Sequence, residues 1–171
     1  SFLTFRSESL DEDGSSFGGT LSPDKYPPST SYQFDSHTYI DPAGKIFISA
    51  TSAISFEGID AFIEDAVTSE VALTGYLIDP NPIPTQISQL TAFTNAFTLP
   101  QGNHSVVYAS VDNAGNAEPF KTLSLTVDGI TPGSPINLKA EGASPSIWKN
   151  VKAYNLSWTS PPDVSGVAGA R

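Results

Sequence analysis

Cysteine and methionine are both absent from the 171 residues, and histidine occurs only twice. Without cysteine the chain forms no disulfide bond, and it offers no thiolate to act as a nucleophile or to bind zinc or an iron–sulfur cluster. Because the first residue is not methionine, we expect a chain that has been processed or excised from a longer protein.

Basic residues are also scarce, since 8 lysines and arginines stand against 18 acidic residues and the net charge is -10. Binding to a phosphate backbone or to an anionic membrane surface depends on clustered Lys and Arg. The charge therefore excludes nucleic acid as a partner. No apolar run approaches the roughly 20 residues that cross a bilayer, so we expect no membrane insertion.

Turn-forming and aromatic residues are plentiful by contrast, with 14 Pro, 13 Gly, 10 Phe and 6 Tyr. From about Lys45 short apolar runs recur between turn formers, which is the pattern of strands in a β-sandwich. The apolar spacing of "GIDAFIEDAVTSE" instead predicts a turn of helix after Ile59. The predicted strands lie in residues 45–50, 53–60, 70–79, 96–100, 104–112 and 121–128, with two more in 135–142 and 153–162.

Three ranges follow from this pattern. Residues 1–35 mix acidic, Ser/Gly and Pro-rich pieces and are predicted to be a linker or the tail of a preceding module. Residues 36–130 are predicted to form the sandwich. Residues 131–171 begin with "TPGSP" and hold only two clear strands, which cannot bury a core by themselves. We therefore expect a truncated second β-sandwich module there.

The stretch "HSVVYASVDNAGN" predicts a strand that leads into a tight turn. Asp and Asn side chains bond to nearby backbone groups in turns, and Gly115 can adopt the positive φ that other residues resist. Tyr108 lies in the strand, where a tyrosine of an immunoglobulin-like sandwich often bonds back to the backbone at a corner. Periodicity leaves the register open, since Val106, Tyr108 and Ser110 or Val107, Ala109 and Val111 could face inward.

"GNHSVVYASVDNAGNAEP" with the later "VDGITP" resembles bacterial extracellular immunoglobulin-like repeats that carry a Gly-x-His-x-Val-x-Tyr signature followed by Asp-x-Ala-Gly-Asn. The resemblance implies an Ig-like sandwich in which Val106, Tyr108 and Ser110 face inward. Residues 134–171, with "NLSW", resemble the start of a fibronectin type III-like module. The structural signature residues carried by the first resemblance are Tyr108, Asp112, Gly115 and Asn116.

Catalytic groups are sparse in the sequence. His104 and His37 are the only candidates for a general base, and no Gly-x-Ser-x-Gly elbow accompanies them. Acidic neighbours such as Glu57 and Asp60 could serve a glycosidase only across a cleft, and chain proximity does not establish one. We expect solvated loops and no enzyme.

Two kinds of binding site remain open as alternatives. Acidic sandwich loops can bind Ca²⁺, and the calcium candidates are Asp112, Asn116 and Asp128, although turn chemistry alone accounts for them. We therefore expect no cofactor, with calcium as the exception to test. Planar rings stack on sugars, and Trp148 is the ligand candidate because Trp158 alternates in phase with Leu156 and is expected in a core.

The expected function follows from the resemblance. Such repeats serve as structural spacers or adhesive modules in bacterial cell-surface or secreted multidomain proteins, so we expect an extracellular location and a non-catalytic role. The implied partners are neighbouring domains of the same polypeptide, with a polysaccharide or a host protein as further possibilities. The alternative is an accessory carbohydrate- or protein-binding module of an extracellular hydrolase.

Overall fold

A computed structural model describes residues 23–61, 67–140 and 155–167. Within these ranges the chain forms strands and a single turn of 3-10 helix at Ile87–Gln89, which confirms the prediction of an all-β fold. The strands are β1 Ser29–Phe34, β2 Thr38–Ile40, β3 Ile46–Ile48, β4 Ile54–Ile59, β5 Val71–Ile78, β6 Thr91–Ala92, β7 Gly102–Asp112, β8 Lys121–Val127, β9 Ile136–Ala140 and β10 Leu156–Thr159.

Three sheets contain these strands. The largest has six strands in the order β2-β3-β8-β7-β5-β6, while β1 pairs with β4 and β9 pairs with β10. Strand β3 runs parallel to β8, whereas β5 runs antiparallel to both β6 and β7. Sheets of this kind are consistent with the predicted sandwich.

The described residues fall into two compact units that interleave along the chain. Of the described residues, the first unit contains 23–33, 54–61, 67–96 and 105–123, and the second contains 34–53, 97–104, 124–140 and 155–167. The sequence ranges 36–130 and 131–171 remain predictions. Strand β1 nevertheless lies inside the range 1–35 that was expected to be a linker, and it pairs with β4.

Aromatic rings join the two layers of the first unit. The ring of Phe56 on β4 stacks on Tyr108 of β7 with a centroid distance of 4.7 Å and an interplanar angle of 26°. Phe56 also meets Phe93 edge-on at 5.5 Å and Tyr76 at 5.8 Å. Tyr32 of β1 contacts the Tyr108 ring edge-on at 6.3 Å. Offset and edge-on rings at these separations are the arrangements that aromatic pairs prefer, so this cluster links the two layers, with Phe56 and Tyr108 as its buried members.

The register of β7 places the signature tyrosine in that cluster. Tyr108 lies opposite Tyr76, and Ser110 lies opposite Thr74 on the same face. Their neighbours of the other parity, Val107 and Ala109, are buried as well. Because both faces of β7 are covered, apolar periodicity could not decide between the two registers. The structure has Tyr108 and Ser110 facing the β1–β4 layer.

In the second unit, β3 and β8 hold the apolar residues that the alternation of β8 predicts. Ile46 pairs with Leu125, and Ile48 pairs with Val127. Along β8 the sequence alternates Leu123, Leu125 and Val127 with Thr122, Ser124 and Thr126. This alternation predicts that Thr126 lies on an exposed polar face, yet it is only 3% exposed. Its hydroxyl donates a 2.6 Å hydrogen bond to Asn103 Oδ1, and such a partner makes a buried hydroxyl tolerable.

The ribbon of β9 and β10 corrects one expectation. Trp158 was predicted to be core, but 44% of its surface is exposed, and Ile136, Leu138 and Leu156 are more exposed still. Leu156 pairs with Ala140 in this ribbon, and the register shifts between Ser157 and Thr159. A two-stranded ribbon has no second layer, which explains why alternation alone did not bury these side chains.

Two further predictions differ in detail. Residues 96–100 form an isolated bridge at Phe97 in place of a strand, although Leu99 is buried. Of the predicted helical turn, Ile59 ends β4, while residues 62–66 lie outside the described part of the chain.

Candidate functional site

The Asp-Asn-Ala-Gly-Asn segment forms a turn held by its own side chains. Asp112 is 2% exposed, and its carboxylate accepts hydrogen bonds from the backbone N–H and the Nδ2 of Asn116, both at 2.8 Å. The Gly115 N–H donates to the Asp112 carbonyl at 3.2 Å, and Gly115 has φ +91°. The predicted turn chemistry is therefore present in the structure.

The turn also contacts the segment that precedes β5. Asn113 donates from Nδ2 to the Ser69 carbonyl at 2.8 Å, and its N–H donates to the Glu70 carbonyl at 3.0 Å. The Ala114 N–H donates to Ser69 Oγ at 3.1 Å. The polar groups of the turn are therefore used in hydrogen bonds that hold the fold together.

Gly115→Val should lower the free energy of unfolding by about 1 to 2 kcal/mol, because a left-handed conformation is unfavourable for a residue with a Cβ. No atom lies within 4 Å of the added Cβ, so the cost arises from the backbone alone. Chemical denaturation measures it. Gly115→Asn is the control and should lose less, since Asn tolerates positive φ; equal stability of all three proteins would contradict the assignment.

Beside the turn, three carboxylates converge. One oxygen each of Asp24, Asp60 and Asp112 lies within 4.8 Å of the others. The Ser69 N–H donates to both Asp24 Oδ2, at 2.9 Å, and Asp60 Oδ2, at 3.0 Å. Carboxylate oxygens are the ligands that Ca²⁺ prefers, so this set is the candidate metal centre of the described residues. Hydrogen bonds from Ser69 and Tyr26 hold the pKa of Asp24 below its usual value.

This cluster differs from the calcium set expected from the sequence. Asp112 belongs to both sets, whereas Asn116 uses its Nδ2 on Asp112 and on the Asp24 carbonyl. Asp128 lies in the other unit, where it accepts the N–H groups of Ser165 and Ile130. The hydrogen bonds of Ser165, followed by those of Ile130, outweigh a small burial effect and lower the pKa of Asp128.

Removing one of the three carboxylates should stabilise the fold. In buffer containing a chelator, Asp60→Asn should raise the free energy of unfolding by less than about 1 kcal/mol, because like charges in contact repel. The effect should shrink as salt is added. Glu57→Gln, an exposed carboxylate elsewhere on β4, is the control. A fall in stability on Asp60→Asn without metal would show that repulsion is not the dominant effect.

A second buried acid, Glu118, lies after the turn and is 7% exposed. Its carboxylate accepts the Ser110 N–H at 2.9 Å and the Thr30 N–H at 3.2 Å. It also forms a 2.8 Å ion pair with Lys121 Nζ. The sequence alone does not predict a structural role for Glu118, because "NAEPF" has the composition of an exposed loop.

Three hydroxyls continue this network beneath β4. The Thr30 hydroxyl donates to Glu118, Ser110 Oγ lies 2.6 Å from Thr30 Oγ1, and Thr74 Oγ1 lies 2.8 Å from Ser110 Oγ. Since each hydroxyl has one hydrogen, the donors run in one direction toward the carboxylate. Gly58 lies against this chain, where a Cβ would come within 2.6 Å of two of the oxygens.

Tyr108 takes part through its ring. Its ring stacks on Phe56 and meets Tyr32 edge-on, while the described residues show no hydrogen bond from its hydroxyl, so the backbone corner stays a prediction. Burial, and then the neighbouring Tyr32 and Glu118, raises the pKa of this phenol.

The two histidines lie in the second unit and do not meet a catalytic partner set within the described residues. His104 Nε2 is 2.9 Å from the Pro100 carbonyl. His37 lines an open cleft of about 320 Å³ with Tyr39 and residues 165–167. Trp148, the ligand candidate from the sequence, lies outside the described residues. Sequence reasoning did not predict this cleft around His37 and Tyr39.

Comparison with protein-family models, with curated proteins and with solved structures finds no match for this chain. Across the parts of the chain that the structure describes, no helix is long and apolar enough to cross a membrane.

Proposed function

We propose that this chain is a non-catalytic, Ig-like structural module that spaces or presents neighbouring domains of a bacterial cell-surface or secreted multidomain protein. The proposal includes residues 131–171 as the first strands of a fibronectin type III-like module. Its mechanism is mechanical: paired strands and a stacked aromatic core keep the distance between attached domains fixed.

The observation that carries the proposal is that the polar side chains of Ser110, Asp112 and Asn116 form hydrogen bonds within the fold. Asp112 and Asn116 bond to each other, and Ser110 bonds to Thr30 and Thr74. Polar groups that could bind a substrate in an enzyme here have structural partners: the Ser110 hydroxyl links neighbouring strands, and Asp112 and Asn116 close the turn. The apolar face of β9 and β10, with Leu138 exposed, supports a ribbon that packs against further strands of a module.

Single-molecule stretching of the chain from its two ends tests the spacer role. Residues 29–127 should unfold in one discrete event that lengthens the chain by roughly 300 Å, because an extended chain spans about 3.4 Å per residue. The discrete event should recur after relaxation. Gradual lengthening without a force peak would contradict the proposal that the folded module resists stretching.

A second candidate function, an accessory carbohydrate-binding module, is favoured by the cleft of the second unit. Tyr39 offers an exposed ring there, His37 offers ring nitrogens, and the volume of about 320 Å³ admits a sugar ring. NMR titration with a panel of soluble oligosaccharides tests it. Shifts that Tyr39→Ala abolishes and Tyr26→Ala leaves intact would support binding, since Tyr26 is a comparably exposed tyrosine outside the cleft.

A further inference from the structure

Strand β1 pairs with β4, and it is also held to the rest of the first unit by two side chains that lie about 90 residues later in the sequence. Both carboxylate oxygens of Glu118 lie 3.2 Å from the Thr30 N–H, and one accepts the Thr30 hydroxyl. Lys121 Nζ donates to the Thr30 carbonyl at 2.8 Å and to Ser29 Oγ at 3.2 Å. We call Glu118 and Lys121 the latch. It binds Thr30 through its N–H, its carbonyl and its side chain.

The charge of Glu118 controls most of these contacts. A carboxylate accepts from several donors at once, whereas a protonated carboxyl group must itself donate one hydrogen and loses its ion pair. The Thr30 and Ser110 N–H groups would then share a weaker acceptor in a buried place. A buried polar group without a good partner is costly, so protonation favours the state in which Thr30 meets water.

The other titratable groups facing Glu118 do not compensate in acid. Among the described residues these are Lys121 on β8, Tyr108 on β7 and, beyond it, Tyr32 on β1. Lysine stays cationic and phenols stay neutral throughout the acid range. Protonating Glu118 therefore leaves the Lys121 charge without its carboxylate and changes no other charge in the latch.

The aromatic core does not depend on the latch. Phe56, Tyr76 and Phe93 pack against one another, and β5 pairs with β7 over most of its length. From β1, Tyr32 adds an edge-on contact with Tyr108. Loss of β1 would thus uncover one side of the Tyr108 ring and leave the rest of the cluster assembled.

We propose that Glu118 is the titrating element of a latch on β1, and that its protonation releases the Thr30 end of this strand while the aromatic core stays folded.

The direction of the pH dependence follows from the geometry. Burial acts to raise the pKa of Glu118, but the ion pair with Lys121 and the hydrogen bonds from Thr30 and Ser110 outweigh it and hold the pKa below its usual value. A carboxyl group with a lowered pKa contributes its stabilisation above the unfolded-state value and loses it as the pH falls through the folded-state value. The latch is therefore closed at neutral pH and opens in acid, as the pH falls through the lowered folded-state pKa of Glu118.

Hydrogen exchange of the whole chain, followed by NMR from pH 7 to pH 3 and corrected for intrinsic rates, tests the proposal. The Thr30 amide should lose protection progressively as the pH falls, because the stabilisation from the Glu118 carboxylate is lost on its protonation. The amides of Val107 and Ala109 should keep theirs. Simultaneous loss at all three would show global unfolding, and retained protection at Thr30 would show that the latch does not titrate; either result overturns the proposal.

Variants distinguish the latch from general acid sensitivity. Glu118→Gln should lower Thr30 protection already at pH 7 and abolish its pH dependence, while Glu57→Gln should behave as the wild type. If Glu118→Gln fails to fold, Lys121→Met provides the second test, because it removes the donors to Ser29 and the Thr30 carbonyl. Thr30 protection that is unchanged at pH 7 in the folded variants would overturn the proposal.

Discussion

Phe56→Ala should lower the free energy of unfolding by about 3 to 5 kcal/mol, the usual cost of removing a buried phenylalanine side chain. The ring is buried and contacts Tyr108, Tyr76 and Phe93 at centroid distances of 4.7 to 5.8 Å. Its loss leaves a cavity between the layers that three large rings cannot fill without leaving their rotamers. Denaturant unfolding of both proteins measures the difference.

Tyr108→Phe is the matched control for that experiment, because it keeps the stacked ring and removes the hydroxyl alone. The change should cost less than about 1 kcal/mol, since the described residues show no hydrogen bond from that hydroxyl. If Tyr108→Phe proved as damaging as Phe56→Ala, an unseen polar partner of the phenol would carry the stability now assigned to ring packing.

Gly58→Ala should be the next most damaging substitution, at about 2 to 4 kcal/mol. The added Cβ would lie 2.5 Å from Thr74 Oγ1 and 2.6 Å from Ser110 Oγ, far inside van der Waals contact. The hydroxyl chain would have to move, and the hydrogen bond between Ser110 and Thr30 would stretch or break. Calorimetric unfolding should show the loss as a lower melting temperature.

Gly133→Ala provides the comparison, because the nearest atom to its added Cβ is Pro161 Cβ at 3.6 Å, an ordinary contact. Its effect should stay within about 0.5 kcal/mol, as for most surface substitutions. Similar melting of the Gly58 and Gly133 variants would mean that the hydroxyl chain shifts aside at no cost.

The strands with clear apolar alternation could be predicted from the sequence. Residues 121–127 show why, since Leu123, Leu125 and Val127 all point into covered space. Strand β1 could not be predicted in the same way. Thr30 is its buried residue, and a polar side chain between exposed neighbours gives no alternating signal. Its burial depends on Glu118, which lies 88 residues away.

The candidate metal centre shows the same limit. Asp112 could be selected from the turn motif, because the motif is local. Asp24 and Asp60 could not be selected as metal ligands, because Asp24 lay in an expected linker and Asp60 was considered only as a possible glycosidase carboxylate beside Glu57. Chain reversals bring their oxygens within 4.8 Å of Asp112. Proximity of this kind depends on tertiary packing, for which a single sequence holds no periodic signal.

The side chains that bind Thr30 of β1 come late in the chain, so the order of synthesis affects when this strand can be fixed in place. Ser110, Glu118 and Lys121 must all be synthesised before Thr30 can form its hydrogen bonds with them. Closing so long a loop slows folding. On a ribosome, β1 can therefore pair with β4 once Ile59 has emerged, whereas Thr30 gains its bonds to Glu118 and Lys121 only after some ninety residues have followed it out of the exit tunnel.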